Sequence, residues 1–399
     1  MSPGTDLVSL VVFPFKEEDT SVIGSNLVIA ARHERVHEVW AVAADEGAVM
    51  DEVTRLGVDV GAGHGVPVRV FTQERLGSFR PGKGDGMNTA LAASAGRGFD
   101  RTHFYDADIT NFDSSWIDGA EAAADRGFGV VRHRFPRAAT DAMITWMVTR
   151  PGLAMLFPGT LLPRLGQPLG GEILLVGDAV ERLADDPFVR ERSDWGIDTV
   201  ITHATSTMGL GIYEHNAPDG KRHALYDSLT DIRDMILECL DAVISLRGRA
   251  SPGPGSGFEA DPPAPVPDDL KETVAYDLSA TRASISTPPT KTEHDLLVDL
   301  GFDTGPIDEV VWGEMLEQML DRFELQDPTW REVAFRLWAE RVISYTTTHV
   351  AHGYDHAIAY LEDTITRYEA ASRSRLSSPE SHRDEGDEGH CETTDLAGA

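Results

Sequence analysis

Cysteine is almost missing from this chain. Only Cys239 and Cys391 occur in 399 residues, far apart in sequence. That excludes a disulfide framework and a thiolate metal cluster. Cys239 sits in an apolar helical pattern and reads as a small buried hydrophobe. Lysine is scarce as well, with only Lys16, Lys83 and Lys221 before Lys271. At a net charge of −31 there is no basic face to neutralise a phosphate backbone, so nucleic-acid binding is excluded. No stretch reaches the roughly 18 consecutive apolar residues that a membrane span needs. The early apolar run Leu7–Phe15 has no positive charge before it and no cleavage-site pattern after it. Neither a signal peptide nor a membrane partner is expected, and a cytoplasmic location is.

What is present begins with alternation. Strand-like segments at Leu7–Phe15, Val36–Ala43, Val66–Thr72, Thr102–Tyr105, Gly129–Arg134, Glu172–Val176 and Gly211–Glu214 are separated by helical patterns, among them Ser25–Arg32. Such alternation predicts an α/β class with an open, mostly parallel sheet, whose ligands collect beyond the carboxyl ends of the strands. FPFK, TQERLG and DAD all follow strand cores. From Tyr226 to Arg247, Leu229, Ile232, Ile236, Leu240 and Ile244 recur at helical spacing. The Pro/Gly-rich stretch 250–269 cannot hold a helix or a central strand and reads as a linker or long loop. Beyond it, Glu293–Leu300, Val310–Phe323, Trp330–Thr348 and Tyr354–Tyr368 predict helices. The expected division is therefore 1–246 for the α/β domain, 247–270 for the linker, 271–371 for an α-helical C-terminal domain, and 372–399 for a disordered acidic tail.

Five segments could carry chemistry. Asp106 and Asp108 are one residue apart at a strand end, where both carboxylates can reach a cation such as Mg²⁺ or Mn²⁺ that also holds a diphosphate. A solvated turn is the alternative. Arg80-Pro81-Gly82-Lys83-Gly84-Asp85-Gly86 precedes a helical pattern at Met87–Ala95, so it is either an anion-binding loop or a surface turn. It matches neither a P-loop nor a dinucleotide fingerprint. His223, in GKRH, is a candidate metal ligand or an idle loop residue. In SDWGID, Asp194 or Asp198 either faces a sugar or belongs to a helix cap. Arg132, Arg134 and Arg137 form a basic cluster suited to gripping a carboxylate. His349, His352 and His356 share a helix face without a carboxylate cluster and read as packing or surface residues.

In this order, FPFKEE, TQERLG, RPGKGDGMNTAL, HFYDADIT, RHRFPR, TDAMITWM, QPLGGE, RSDWGIDT and GKRH…LYD closely resemble the mannosylglycerate synthases, a family of retaining GT-A glycosyltransferases. The resemblance runs from about Leu7 to Leu246 and more loosely through the C-terminal helices. It implies a GT-A-type nucleotide-diphospho-sugar transferase domain that joins the sugar of GDP-mannose to the 2-hydroxyl of D-glycerate, giving a compatible solute. It implies that Lys16, Glu18 and Gln73 hold the nucleoside, with Lys83 at the diphosphate or nucleoside and Tyr226 close to the diphosphate. Asp106 would contact ribose or sugar and, as part of the acidic triplet, stands as a metal candidate beside Asp108 and His223. Asp198 would face the donor sugar, as nucleophile or orienting group, and Arg137, Thr145, Leu169 and Met235 would line the glycerate pocket. Glu17 and Ala139 depart from the family pattern, which has histidine and serine there. The competing readings are a synthase using a glucosyl donor or 3-phosphoglycerate, for which Arg132 and Arg134 would supply cations, and a non-catalytic nucleotide-sugar binder. A homo-oligomer assembled through the helical domain is expected.

Overall fold

The sequence of β1 (Ser9–Phe15) is SLVVFPF, an apolar run without alternation, and it is almost wholly buried. A strand covered on both faces needs that pattern, and parallel sheets with helices on both sides supply the cover. The structure, a computed structural model, describes residues 7–223, 229–253, 257–302 and 304–377. Its sheet adds β2 (Val36–Ala43), β3 (Val68–Thr72), β4 (Arg101–Phe104), β5 (Val130–Arg134), β6 (Ile173–Val176), β7 (Ile212–Asn216) and β8 (Phe258–Ala260). The strand order is β3-β2-β1-β4-β6-β5-β7-β8. Only β6 runs antiparallel to its neighbours. The chain moves outward from β1 through β3, then returns to place β4 on the other side of β1. That reversal opens a crevice at the carboxyl ends of β1 and β4, where Lys16 and Asp106 stand.

The sheet is flanked by α1 (Thr20–Arg32), α2 (Ala48–His64), α3 (Lys83–Ser94), α4 (Ser114–Asp125), α5 (Arg150–Leu156), α6 (Gly177–Asp185), α7 (Pro187–Glu191) and α8 (Ile197–Thr207). Alternate residues of β1 serve opposite faces, as a period of two requires. Val11 and Phe13 pack with α1 and the α4 residues Trp116 and Ile117, while Leu10 and Val12 pack with Met87 and Leu91 of α3. After α9 (Arg233–Ser245) come α10 (Asp268–Glu272), α11 (Leu278–Ser284), α12 (Lys291–Asp299), α13 (Glu309–Arg322), α14 (Pro328–Thr348) and α15 (Tyr354–Leu376). The apolar faces of α11 to α15 join α9 and residues 139–154 in a single cluster that includes Trp312, Trp338 and Tyr345. The helical region therefore shares its core with the α/β part.

Three expectations change. Helix α1 begins at Thr20, because Asp19 caps it by accepting from the Ser21 amide. The 250–269 stretch is partly structured: β8 closes the sheet edge beside β7, and Asp261 then accepts from the Asn216 amide at 3.0 Å and lies 2.8 Å from His215 Nδ1. Helix α15 passes residue 371 and runs to Leu376, with Ser372 buried and Arg375 paired to Glu317.

Candidate active site

A cavity of about 430 Å³ opens at the β1/β4 crevice. Lys16, Glu18, Gln73, Lys83, Asp106, Asp108, Arg137, Thr145, Leu169, Asp198, His223 and Met235 all line it. Tyr226 lies outside the described residues. Twelve positions scattered over more than half the chain thus converge on one space.

Lys83 occupies the first turn of α3, so the glycine loop before Met87 is already helical. The helix can begin there because the glycines admit a close neighbour. A Cβ on Gly84 would collide with the backbone at Arg192 and Ser193. The Asp85 amide donates to Ser193 O at 3.2 Å, and Asn88 Nδ2 donates to Val189 O at 3.0 Å and Arg192 O at 3.1 Å. The RPGKGDG and RSDWGID segments are in this way clamped together. Asp194 belongs to the clamp: it receives Arg192 Nε at 2.8 Å and the Gly196 amide at 2.9 Å, while burial lifts its carboxyl to about 6. Asp198, in the first turn of α8, is the acid that reaches the cavity.

Five charges, buried or partly buried, then alternate in sign. Glu172 Oε1 meets Lys221 Nζ at 2.6 Å, Lys221 Nζ meets Asp106 Oδ2 at 2.5 Å, Asp106 Oδ1 meets Lys83 Nζ at 2.8 Å, and Lys83 Nζ meets Asp198 Oδ2 at 3.0 Å. Burial penalises Lys83 and Lys221, but the surrounding carboxylates outweigh it and hold both ammonium groups above their ordinary range. Burial likewise penalises the Asp106 carboxylate, and the two lysines overcome it, keeping the acid well below its ordinary value. For Asp198 and Glu172 burial prevails and raises the pKa. Gly171 lies close beside this chain, and a Cβ there would displace Lys83 Nζ and the Asp106 carboxylate from their present places. Neither Lys221 nor Glu172 belongs to a recognisable motif of its own; the rarity of lysine is the one sequence signal that points to Lys221.

Of the three candidate metal ligands, Asp106 has an ammonium partner on each oxygen. Asp108 and His223 are the other two. Their loops are tied together: Asn111 Nδ2 donates to Gly220 O at 2.9 Å, the Arg222 amide donates to Asn111 Oδ1 at 2.8 Å, and the Thr110 amide donates to Arg222 O at 2.9 Å. Among the described residues no three His, Cys, Asp or Glu side chains gather to enclose a metal unaided. One carboxylate and one imidazole fit a Mg²⁺ or Mn²⁺ ion that takes its other oxygens from a diphosphate and water.

Another part of the lining is apolar, with Met143, Ile144, Leu169, Met235, Ala275 and Tyr276 packed in the core of the helical region. Its cation is Arg137, paired to Asp141 Oδ2 at 2.9 Å and leaving Nε without a partner among the described residues. The other two arginines of RHRFPR are not in the lining. Arg132 is buried and donates to Gly170 O at 2.7 Å and Pro168 O at 3.3 Å; Arg134 pairs with Glu362 at 3.6 Å. His349, His352 and His356 pack on one another, and His349 stacks on Tyr360 with ring centroids 3.5 Å apart.

The family model described as mannosylglycerate synthase, GT domain, matches residues 9–245, and that for the mannosylglycerate synthase C-terminal domain matches residues 271–365. The chain belongs to the mannosylglycerate synthase family. It is 44% identical over 375 residues to the mannosylglycerate synthase of Rhodothermus marinus, covering 90% of this chain and 94% of that one. With the mannosylglycerate synthase of Selaginella moellendorffii it shares 40% identity over 394 residues, 94% and 93% of the two chains. A crystal structure of glucosyl-3-phosphoglycerate synthase from Mycobacterium tuberculosis, in complex with Mg²⁺ and uridine-diphosphate, aligns with a TM-score of 0.49 at 22% identity over 62% of this chain and 81% of the other. The open, mostly parallel sheet followed by helices is the GT-A-type architecture expected from the sequence, and the protein is a glycosyltransferase. Among the described residues no helix is long and apolar enough to cross a membrane.

Proposed function

We propose that the protein transfers mannose from GDP-mannose to the 2-hydroxyl of D-glycerate with retention. The observation that carries this reading is the meeting of the expected donor residues and the expected acceptor residues in one cavity, which Asp198 and Lys83 also line in contact with each other. Lys16, Glu18 and Gln73 come from the ends of β1 and β3 and form the nucleoside end. Asp108 and His223 would hold a divalent cation, which when bound supplies positive charge to the departing diphosphate. Lys83 contributes to the same end as a fixed ammonium, placed where negative charge grows as the glycosyl bond breaks. Asp198 faces the sugar, and its charge is supported by Lys83 in a buried setting. A carboxylate there either attacks the anomeric carbon or steadies the positive charge that develops on it.

The acceptor half supports a small unphosphorylated acid. Arg137 has a buried Nε to offer a carboxylate, whereas Arg132 and Arg134 are used elsewhere. A phosphorylated acceptor would bring more negative charge to a half-cavity whose arginine is already shared with Asp141.

The test is nucleotide release from GDP-mannose and GDP-glucose, with Mg²⁺ or Mn²⁺, using D-glycerate or 3-phosphoglycerate. Turnover is expected with GDP-mannose and D-glycerate, and Asp108→Ala is expected to abolish it in a folded protein. Turnover confined to 3-phosphoglycerate would move the protein to the phosphorylated-acceptor class. Undiminished rates in excess chelator would remove the metal from the scheme.

A further inference from the structure

The segment joining β5 to α5 supplies much of the acceptor wall, through Arg137, Thr140, Asp141, Met143 and Thr145. It is poorly held by its own secondary structure. Ala142 has a φ of 57°, in the left-handed region that a residue with a side chain rarely occupies, and residues 145–149 form a π-helical turn. Such backbone persists only where its surroundings fix it.

The fixing bonds come from the helical region. Tyr345 Oη donates to Ala139 O at 2.8 Å, and Tyr354 Oη donates to Arg137 O at 3.1 Å. Trp312 Nε1 donates to Met147 O at 2.7 Å within the π-helical turn. Thr140 Oγ1 accepts the Ala275 amide at 2.9 Å and donates to Thr273 O at 3.3 Å. Every one of these partners lies between residues 273 and 354. Tyr345 is fully buried and its ring packs on Tyr360, so its hydroxyl is aimed by a rigid support. The nucleoside end of the cavity, at Lys16, Glu18 and Gln73, receives none of these bonds.

We propose that Tyr345, Tyr354 and Trp312 are positioning residues for the acceptor: the helical region holds the strained 137–149 segment in its binding shape and thereby sets acceptor affinity without setting donor affinity. This rests on the acceptor half being where the proposed function puts it. Tyr345→Phe and Tyr354→Phe each delete a hydroxyl and keep the ring. Together they remove two hydrogen bonds, enough to speed local opening of the segment by about thirtyfold.

The test has two arms. Hydrogen exchange follows the amides of Asp141 and Trp146, which are bonded within the segment to Ala138 O and Ala142 O. They are expected to exchange about thirtyfold faster in the double variant, with the α3 amides unchanged. In steady-state kinetics the KM for D-glycerate is expected to rise about tenfold, with the KM for GDP-mannose and the Kd for GDP within about twofold of the parent. Unchanged exchange overturns the clamp whatever the acceptor is. Faster exchange with an unmoved acceptor KM, or an equal rise in both KM values, overturns its role in acceptor affinity. If the parent enzyme fails to use D-glycerate, the proposed function falls, and the exchange arm still decides the clamp.

Discussion

Lys221 sits between Asp106 and Glu172 with its ammonium buried, and each partner is costly to leave uncovered. Removing one member of a buried ionic group costs about 3–5 kcal/mol, because the charge left behind has lost both water and partner. Lys221→Met is therefore expected to lower unfolding stability by about that amount. Lys221→Met combined with Glu172→Gln is expected to be less destabilised than the sum of the single changes, a coupling that urea titrations of the four proteins would measure. Additive effects would mean that the chain of charges does not act as a unit. At this scale the sequence was informative where a residue type was rare or spaced in a motif. Lys83, Asp108, Asp198 and Arg137 all reach the cavity. Glu172 was read only as the start of a strand. Its role depends on β6 entering the sheet antiparallel beside β4, a pairing that no local pattern encodes.

Elements place these side chains, and two loops do it jointly for the candidate metal ligands. Asn111 follows the acidic triplet and bonds both ways to residues 220 and 222, so the loop bearing His223 is set against the loop bearing Asp108. Partners of this indirect kind typically account for 10–100-fold in metal affinity. Asn111→Ala is expected to weaken Mn²⁺ binding in the presence of GDP about tenfold, by calorimetric titration, with the fold intact by circular dichroism. Unchanged affinity would separate the two loops functionally. Element positions were largely legible, because the strands are apolar runs and the C-terminal helices keep their period. Helix starts were less so. Gly84 and Gly86 have poor helix propensity and suggested a loop, yet α3 begins at Lys83 because only glycine lets that turn press against Arg192 and Ser193. The strand β8 was hidden by the prolines that follow it, which forbid a central strand but tolerate an edge.

The whole molecule carries a charge of −31, so acid acts on it through carboxylates that are individually held down. Glu121 is the clearest example outside the cavity. It accepts from Ser9 Oγ at 2.6 Å, lies 2.9 Å from His103 Nε2 and pairs with Arg101. Burial alone would raise its pKa, but these partners bring it down to about 2 from an ordinary 4.5. A folded-state value below the unfolded one adds stability that is complete above pH 4.5 and disappears as the pH falls towards 2. The contribution is on the order of 3 kcal/mol at neutral pH. Glu121→Gln is expected to be less stable at pH 7 and to lose less stability between pH 5 and 3 than the parent, as read from denaturant midpoints at each pH. Parallel pH curves for the two proteins would show that Glu121 contributes nothing to acid unfolding.

The last strand of the sheet has a consequence for how copies of this chain behave towards one another. β8 is three residues long, covers the otherwise open side of β7, and is followed at once by Asp261, Pro262 and Pro263. An uncovered edge is a template on which a neighbouring chain can lay a strand; a short one ending in a charge and two residues without amide hydrogens is a poor template. The stretch between the α/β part and the helices is thus also a guard against edge-to-edge aggregation, and shortening it would trade a tidier tether for a protein that sticks to itself.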